Sequence, residues 1–149
     1  WSEVTASVAA SRTLLEALWN MDEKAVAEGI DKAHREISIL QYNNENALSC
    51  TITLAFYFAR EYYTIVRELP AGKGFADVCF IPRKMHIDKP AVMIELKWDK
   101  SAEGAIRQIR EKHYTDALNE YHGNLLLVGI NYEKDTKTHT CVIEQTNIE

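Results

Sequence analysis

The chain has 149 residues, enough to bury one core of ordinary size, and its 46% hydrophobic and 26% charged residues suit a soluble globular domain rather than a disordered or fibrous one. No apolar run reaches the roughly 18 to 20 residues that a membrane span needs, and neither a basic leader nor a small-residue cleavage site is present, so a cytoplasmic domain with no membrane partner is expected. The net charge of -5 does not point to a phosphate-backbone partner, except through residues 83–112, where eight Lys or Arg stand against five Asp or Glu while the rest of the chain has nine against seventeen. On charge alone a solvated mixed surface is the better reading of that segment.

The first forty residues carry two amphipathic helical patterns, Trp1, Val4, Val8, Ser11, Leu15 and Leu18, then Val26, Ile30, Ala33, Ile37 and Leu40, parted near Asn20 to Asp22. Because the chain opens on Trp1 inside a helical pattern, an excised piece of a longer protein is expected. Residues 1–40 read as a helical extension and 41–149 as the core domain. A third helix is expected from the Asn43-Asn44 pair, good N-cap residues, to about Tyr63, with Leu48, Ile52, Ala55, Phe56 and Ala59 on one face. The period then becomes alternating. Strands are expected at 64–69, 75–81 and 90–98, with a turn at Ala71-Gly72-Lys73-Gly74 and a loop bracketed by Pro82 and Pro90. A helix from Ser101 to about Leu118 and strands at 124–132 and 138–145 complete an α-β-β-β-α-β-β order. The expected fold class is α/β, a central mixed sheet flanked by helices.

Period two places Asp77, Cys79 and Ile81 on one face of the second strand, and Ala91, Met93, Glu95 and Lys97 on one face of the third. The opposite face of the third strand, Val92, Ile94, Leu96 and Trp98, is apolar. Charges that alternate with core residues are costly unless they are paired or metal-bound. A cross-strand ion pair of Lys97 with Asp77 or Glu95 is the plain reading. Glu45 weakens it, since a carboxylate three residues before Leu48 and seven before Ile52 shares their apolar stripe; a favourable first-turn charge explains its turn but not that side. Gln108 lies on the helix after the third strand.

These residues resemble a family. Gly74-Phe75-Ala76-Asp77-Val78, followed after seventeen intervening residues by Glu95-Leu96-Lys97, is similar to the D…ExK core of PD-(D/E)XK nucleases. Glu45 resembles the glutamate of that superfamily's first helix, and Gln108, within Ala105-Ile106-Arg107-Gln108-Ile109, the glutamine of the helix after the core. Ala76 stands where the motif's proline would. The "NNENAL" start and the "GKGFADVCFIP", "IELKW" and "AIRQI" runs look like the nuclease-like domain that follows an AAA-ATPase-like module in many prokaryotic proteins.

The resemblance implies a restriction-endonuclease-like fold and hydrolysis of nucleic-acid phosphodiester bonds, with DNA as the expected substrate. It also implies an N-terminal AAA-type ATPase module in the full-length chain. Its cofactor would be magnesium, for which manganese could substitute, held by Asp77, Glu95 and the Leu96 carbonyl. Lys97 would act on the attacking water, Glu45 on a second ion or the water shell, and Gln108 on the lysine or the phosphate backbone. Arg107, Arg110 and Lys112 would track the nucleic-acid backbone, or serve only as solvated helix charges. Two rivals stand beside this: a catalytically silent nuclease-like module that binds a partner, and a structural domain with an ion-pair network.

Other chemistries fit less well. Gly72 and Gly74 around Lys73 lack the GxxxxGK[ST] spacing of a phosphate loop, and the five histidines (His34, His86, His113, His122 and His139) lack zinc-site spacing. Ser49 and Ser101 lack a nucleophile elbow. Cys50, Cys79 and Cys141, odd in number and widely spaced, are expected as buried thiols.

Overall fold

The computed structural model describes residues 2–36, 45–71, 74–112, 114, 118, 121 and 123–148. The side chains of residues 2–4, 45, 70, 71, 75 and 148 fall outside that description, as do the expected Asn43-Asn44 cap and the centre of the 71–74 turn.

Three helices lead: α1 (Ser2–Trp19), α2 (Glu23–Glu36) and α3 (Glu45–Ala55). Asp22 caps α2, its Oδ1 accepting the Ala25 N–H at 3.1 Å. Strands β1 (Tyr63–Ala71), β2 (Gly74–Pro82) and β3 (Ala91–Trp98) follow, then α4 (Ala102–Glu111), β4 (Gly123–Glu133) and β5 (Thr138–Ile148). The sheet has five strands in sequence order, antiparallel except for β3 and β4, which run parallel. A parallel pair cannot be joined by a tight hairpin, and α4 makes the crossover.

Each sheet face carries its own core. Val78, Phe80, Val92, Ile94, Leu96, Leu126, Val128 and Ile130 pack with Leu15, Leu18, Val26, Ile30, Leu48, Ile52 and Phe56, so α1 to α3 cover one face. Cys79, Met93, Leu125 and Leu127 pack with Ile106, Ile109, Tyr114 and Leu118, so α4 with Tyr114 and Leu118 covers the other. Helix α2 also closes the β5 edge of the sheet. Glu23 Oε2 accepts the Ile143 N–H at 2.7 Å, and Asp31 Oδ1 accepts the His139 N–H at 2.7 Å. Eight helical residues span about 12 Å and four strand residues about 13 Å, which lets both carboxylates reach alternate N–H groups of one edge.

Two expected helices are shorter than their patterns. Helix α3 ends at Ala55, and a 3₁₀ turn over Tyr57–Glu61 leads into β1. Phe56 and Ala59 are buried as expected, but a spacing of three suits a 3₁₀ turn as well as an α-helix. Helix α4 stops at Glu111, with the Lys112 N–H capping back onto the Gln108 and Arg110 carbonyls, and Tyr114 and Leu118 are buried beyond it. All three cysteines are free thiols. Cys79 is buried, whereas Cys50 and Cys141 are partly exposed, which corrects the expectation that all would be enclosed.

Candidate active site

The β2–β3 ladder runs Phe80↔Val92, Cys79↔Met93 and Val78↔Ile94, and one further step of that register brings Asp77 beside Glu95. At that step a side chain replaces the backbone. Asp77 Oδ2 accepts the Leu96 N–H at 2.8 Å. A strand residue projects its N–H and C=O from the same edge, so the Leu96 carbonyl also lies on the edge that faces Asp77. On the other side of β2 the register passes from Arg67↔Val78 to Leu69↔Ala76, skipping the position across from Asp77. That position is Glu68, whose φ of 54° is left-handed, a conformation costing a non-glycine residue about 1 to 3 kcal/mol.

Glu95 is buried, at 4% exposure, and Lys97 lies two residues on, at the same face. One residue of α4 joins them. Gln108 Oε1 accepts a hydrogen bond from Lys97 Nζ, while its Nε2 donates to Glu95 Oε1 at 3.0 Å and to Tyr114 Oη at 3.1 Å. An ammonium only donates and an ionised carboxylate only accepts, so this amide orientation is the one that satisfies both. The plain reading of the sequence is a direct ion pair of Lys97 with Asp77 or Glu95; the structure adds a neutral amide that bridges lysine and glutamate.

The electrostatics report the same convergence. Burial first, then the Glu95 and Asp77 carboxylates, push the Cys79 thiol up to about 12. Burial raises the Tyr114 hydroxyl as well, the Gln108 hydrogen bond opposes this, and the Glu95 and Asp77 charges add to it, so Tyr114 stays a neutral phenol. Sequence reasoning missed Tyr114. Its one signal was an aromatic residue six positions after Gln108, inside what the sequence reads as a single helix to about Leu118. Gly74 keeps room for it, since a Cβ there would lie 3.1 Å from Tyr114 Oη.

The other expected residues divide. Glu45 opens α3, but its side chain lies outside the described residues; Asn46 and Ser49, one and four residues on, accept hydrogen bonds from Arg67, which pairs with Val78 beside Asp77. Arg107 and Arg110 on α4 and Lys112 at its C-terminal cap are exposed, and Arg110 is tied to Glu144 at 3.0 Å. Among the described residues no group of three or more His, Cys, Asp or Glu side chains could hold a metal ion. Among the described residues the candidate oxygen donors of the sequence reading are the Asp77 and Glu95 carboxylates and the Leu96 carbonyl. They suit a hard cation that keeps several waters, as magnesium does with one or two carboxylates plus substrate oxygens.

A sequence family described as the PD-(D/E)XK nuclease superfamily matches residues 43–141, about two thirds of the chain. The chain belongs to that superfamily. The PD-(D/E)XK match contains Asp77, Glu95, Lys97, Gln108 and Tyr114, and leaves α1 and α2 outside it. No curated protein matches the chain. A crystal structure of a repair endonuclease from Pyrococcus abyssi aligns over 62% of this chain and 39% of its own length, with 23% sequence identity and a TM-score of 0.37. The five-stranded mixed sheet flanked by helices is consistent with the PD-(D/E)XK fold. Among the described residues no helix is long and apolar enough to cross a membrane.

Proposed function

We propose that this domain hydrolyses phosphodiester bonds of nucleic acid, DNA being the preferred reading, with magnesium as its cofactor and manganese as a substitute. The observation that carries the proposal is the Gln108 amide bridging Glu95 and Lys97 beside Asp77. An ion pair alone needs no such third residue.

Asp77, Glu95 and the Leu96 carbonyl would hold the cation, and Glu45 would reach a second ion or the water shell. A bound cation supplies charge neutralisation at the phosphate and a more acidic water. Lys97 stands beside that oxygen cluster, where its ammonium orients the attacking water and balances phosphate charge. Gln108 fixes the lysine, and by donating to Glu95 Oε1 it also fixes the rotamer of the glutamate. Tyr114, kept neutral, accepts the remaining Gln108 N–H, so the amide cannot turn away. Arg107 and Lys112 would meet the phosphate backbone; Arg110 would first have to leave Glu144. The 1–40 helices would act as an extension of the core, and an AAA-type ATPase module would precede them in the full-length chain.

The test is cleavage of single- and double-stranded DNA and RNA with magnesium or manganese at low salt, where phosphate contacts are strongest. Metal-dependent cleavage that is abolished in Glu95→Ala is expected. Metal binding without cleavage of any substrate would instead favour the partner-binding module.

A further inference from the structure

We infer that Gly129 and Asn131 of β4 are positioning residues that seat α4 and thereby hold Gln108 between Glu95 and Lys97. The kinetic side of this inference rests on the nuclease reading; the structural side does not.

The parallel β3–β4 register pairs Glu95 with Gly129 and Lys97 with Asn131. Laterally paired residues share a sheet face, so the two site residues of β3 have these two as neighbours across the strand gap of about 4.8 Å. Gly129 meets the helix itself, and Asn131 the turn that leads into it. A Cβ at Gly129 would lie 2.2 Å from the Ala102 carbonyl oxygen and 3.0 Å from Ala105 Cβ, so α4 rests directly on the β4 backbone. Any side chain there must lift the first turn of α4 by about 1 Å to restore normal contact distances.

Asn131, buried at 1% exposure, grips the connection that leads into the helix. Its Oδ1 accepts the Lys100 N–H at 3.0 Å, and its Nδ2 donates to the Lys100 carbonyl and to Glu133 Oε1, both at 3.2 Å. The same turn is fastened twice more. Asp99, left-handed at φ 51°, donates its N–H to the Tyr132 carbonyl at 2.8 Å and accepts the Lys134 N–H at 2.7 Å. Ser101 then caps α4 through the Gly104 N–H at 2.9 Å. Two helical turns later Gln108 makes three hydrogen bonds at once, each lost on a displacement of about 1 Å, a misplacement able to cost a reaction about 10²-fold.

The experiment compares Asn131→Ala, Gly129→Ala, Gln108→Ala and the double variants with Gln108→Ala, all in the full 149-residue chain. The Gln108 side-chain amide resonances, assigned by their loss in Gln108→Ala, are read without substrate or metal. Both β4 variants should move them toward the positions of a solvated glutamine, and in cleavage they should lower kcat about 10- to 100-fold with KM within about twofold. In the Gln108→Ala background neither should lower kcat further, because the interaction they support is already gone. Unmoved Gln108 resonances overturn the inference, as do losses that multiply with Gln108→Ala. If Gly129→Ala does not fold, Asn131→Ala decides alone. If the wild-type protein cuts nothing, the nuclease reading has failed, and the resonances still decide whether β4 seats Gln108.

Discussion

Asp77 Oδ2 takes the Leu96 N–H at 2.8 Å, one step beyond Val78↔Ile94, so a carboxylate closes the β2–β3 ladder where the backbone pairing stops. The residue therefore has two separable tasks. Asp77→Asn keeps an oxygen acceptor for Leu96 and Asp77→Ala does not, while both remove the charge. Asp77→Ala should be less stable than Asp77→Asn by about 1 to 3 kcal/mol, the cost of a buried donor left without its partner. Calorimetric titration should find manganese binding weakened in both. Equal unfolding free energies for the two variants would dismiss the structural task.

Lys97 donates to the amide oxygen of Gln108. Lys97→Ala should therefore leave manganese binding intact or stronger, since a protonated amine cannot ligate a cation and repels it. Cleavage should fall by about 10²- to 10⁴-fold, the range of a positioned proton-transfer group, or about 3 to 5 kcal/mol of barrier. Cleavage at the wild-type rate would show that the lysine has no part in the reaction.

Tyr114→Phe removes the hydroxyl that accepts one Gln108 N–H and keeps the ring. A loss of about 1 to 3 kcal/mol in stability is expected from the unsatisfied donor, together with a lower kcat. Tyr114→Phe combined with Gln108→Ala should cost less than the sum of the two, because they share one hydrogen bond. Additive losses measured by urea unfolding would separate Tyr114 from the network.

The α2–β5 contact predicts a pH dependence. His139 is buried against Asp31, its Nδ1 2.6 Å from Asp31 Oδ1, with His34 and Tyr132 against its ring. Burial holds its pKa below 6.5 although Asp31 raises it, and His34 lowers it further. Between the lowered folded value and 6.5 the unfolded chain binds more protons, so the stabilisation is complete above pH 6.5 and is lost as pH falls below it. Urea unfolding of wild type should weaken from pH 7.5 to 5.5. His139→Phe should show a shallower slope, with His34, itself lowered chiefly by burial, still contributing. An identical slope in both proteins would exclude His139 as the source.

Local patterns in the sequence determined which elements form and which faces they bury. Alternation over 75–81 and 90–98 set Asp77, Cys79, Glu95 and Lys97 on one face and Val92, Ile94 and Leu96 on the other, as found. The resemblance to PD-(D/E)XK nucleases rested on the same short-range spacings. What the sequence could not decide were contacts whose partners follow no period. Tyr114 enters the site only because α4 ends at Glu111, and a pattern of buried residues does not mark where a helix stops. Gly129 and Asn131 look like ordinary strand residues until the parallel register places them beside Glu95 and Lys97 with α4 against them. Asp31 and His139, 108 residues apart, meet because a helix rise of 1.5 Å and a strand rise of about 3.3 Å bring their spacings into step along one sheet edge. Spacing in sequence selected the residues, and distance in space, set by packing, decided which of them touch.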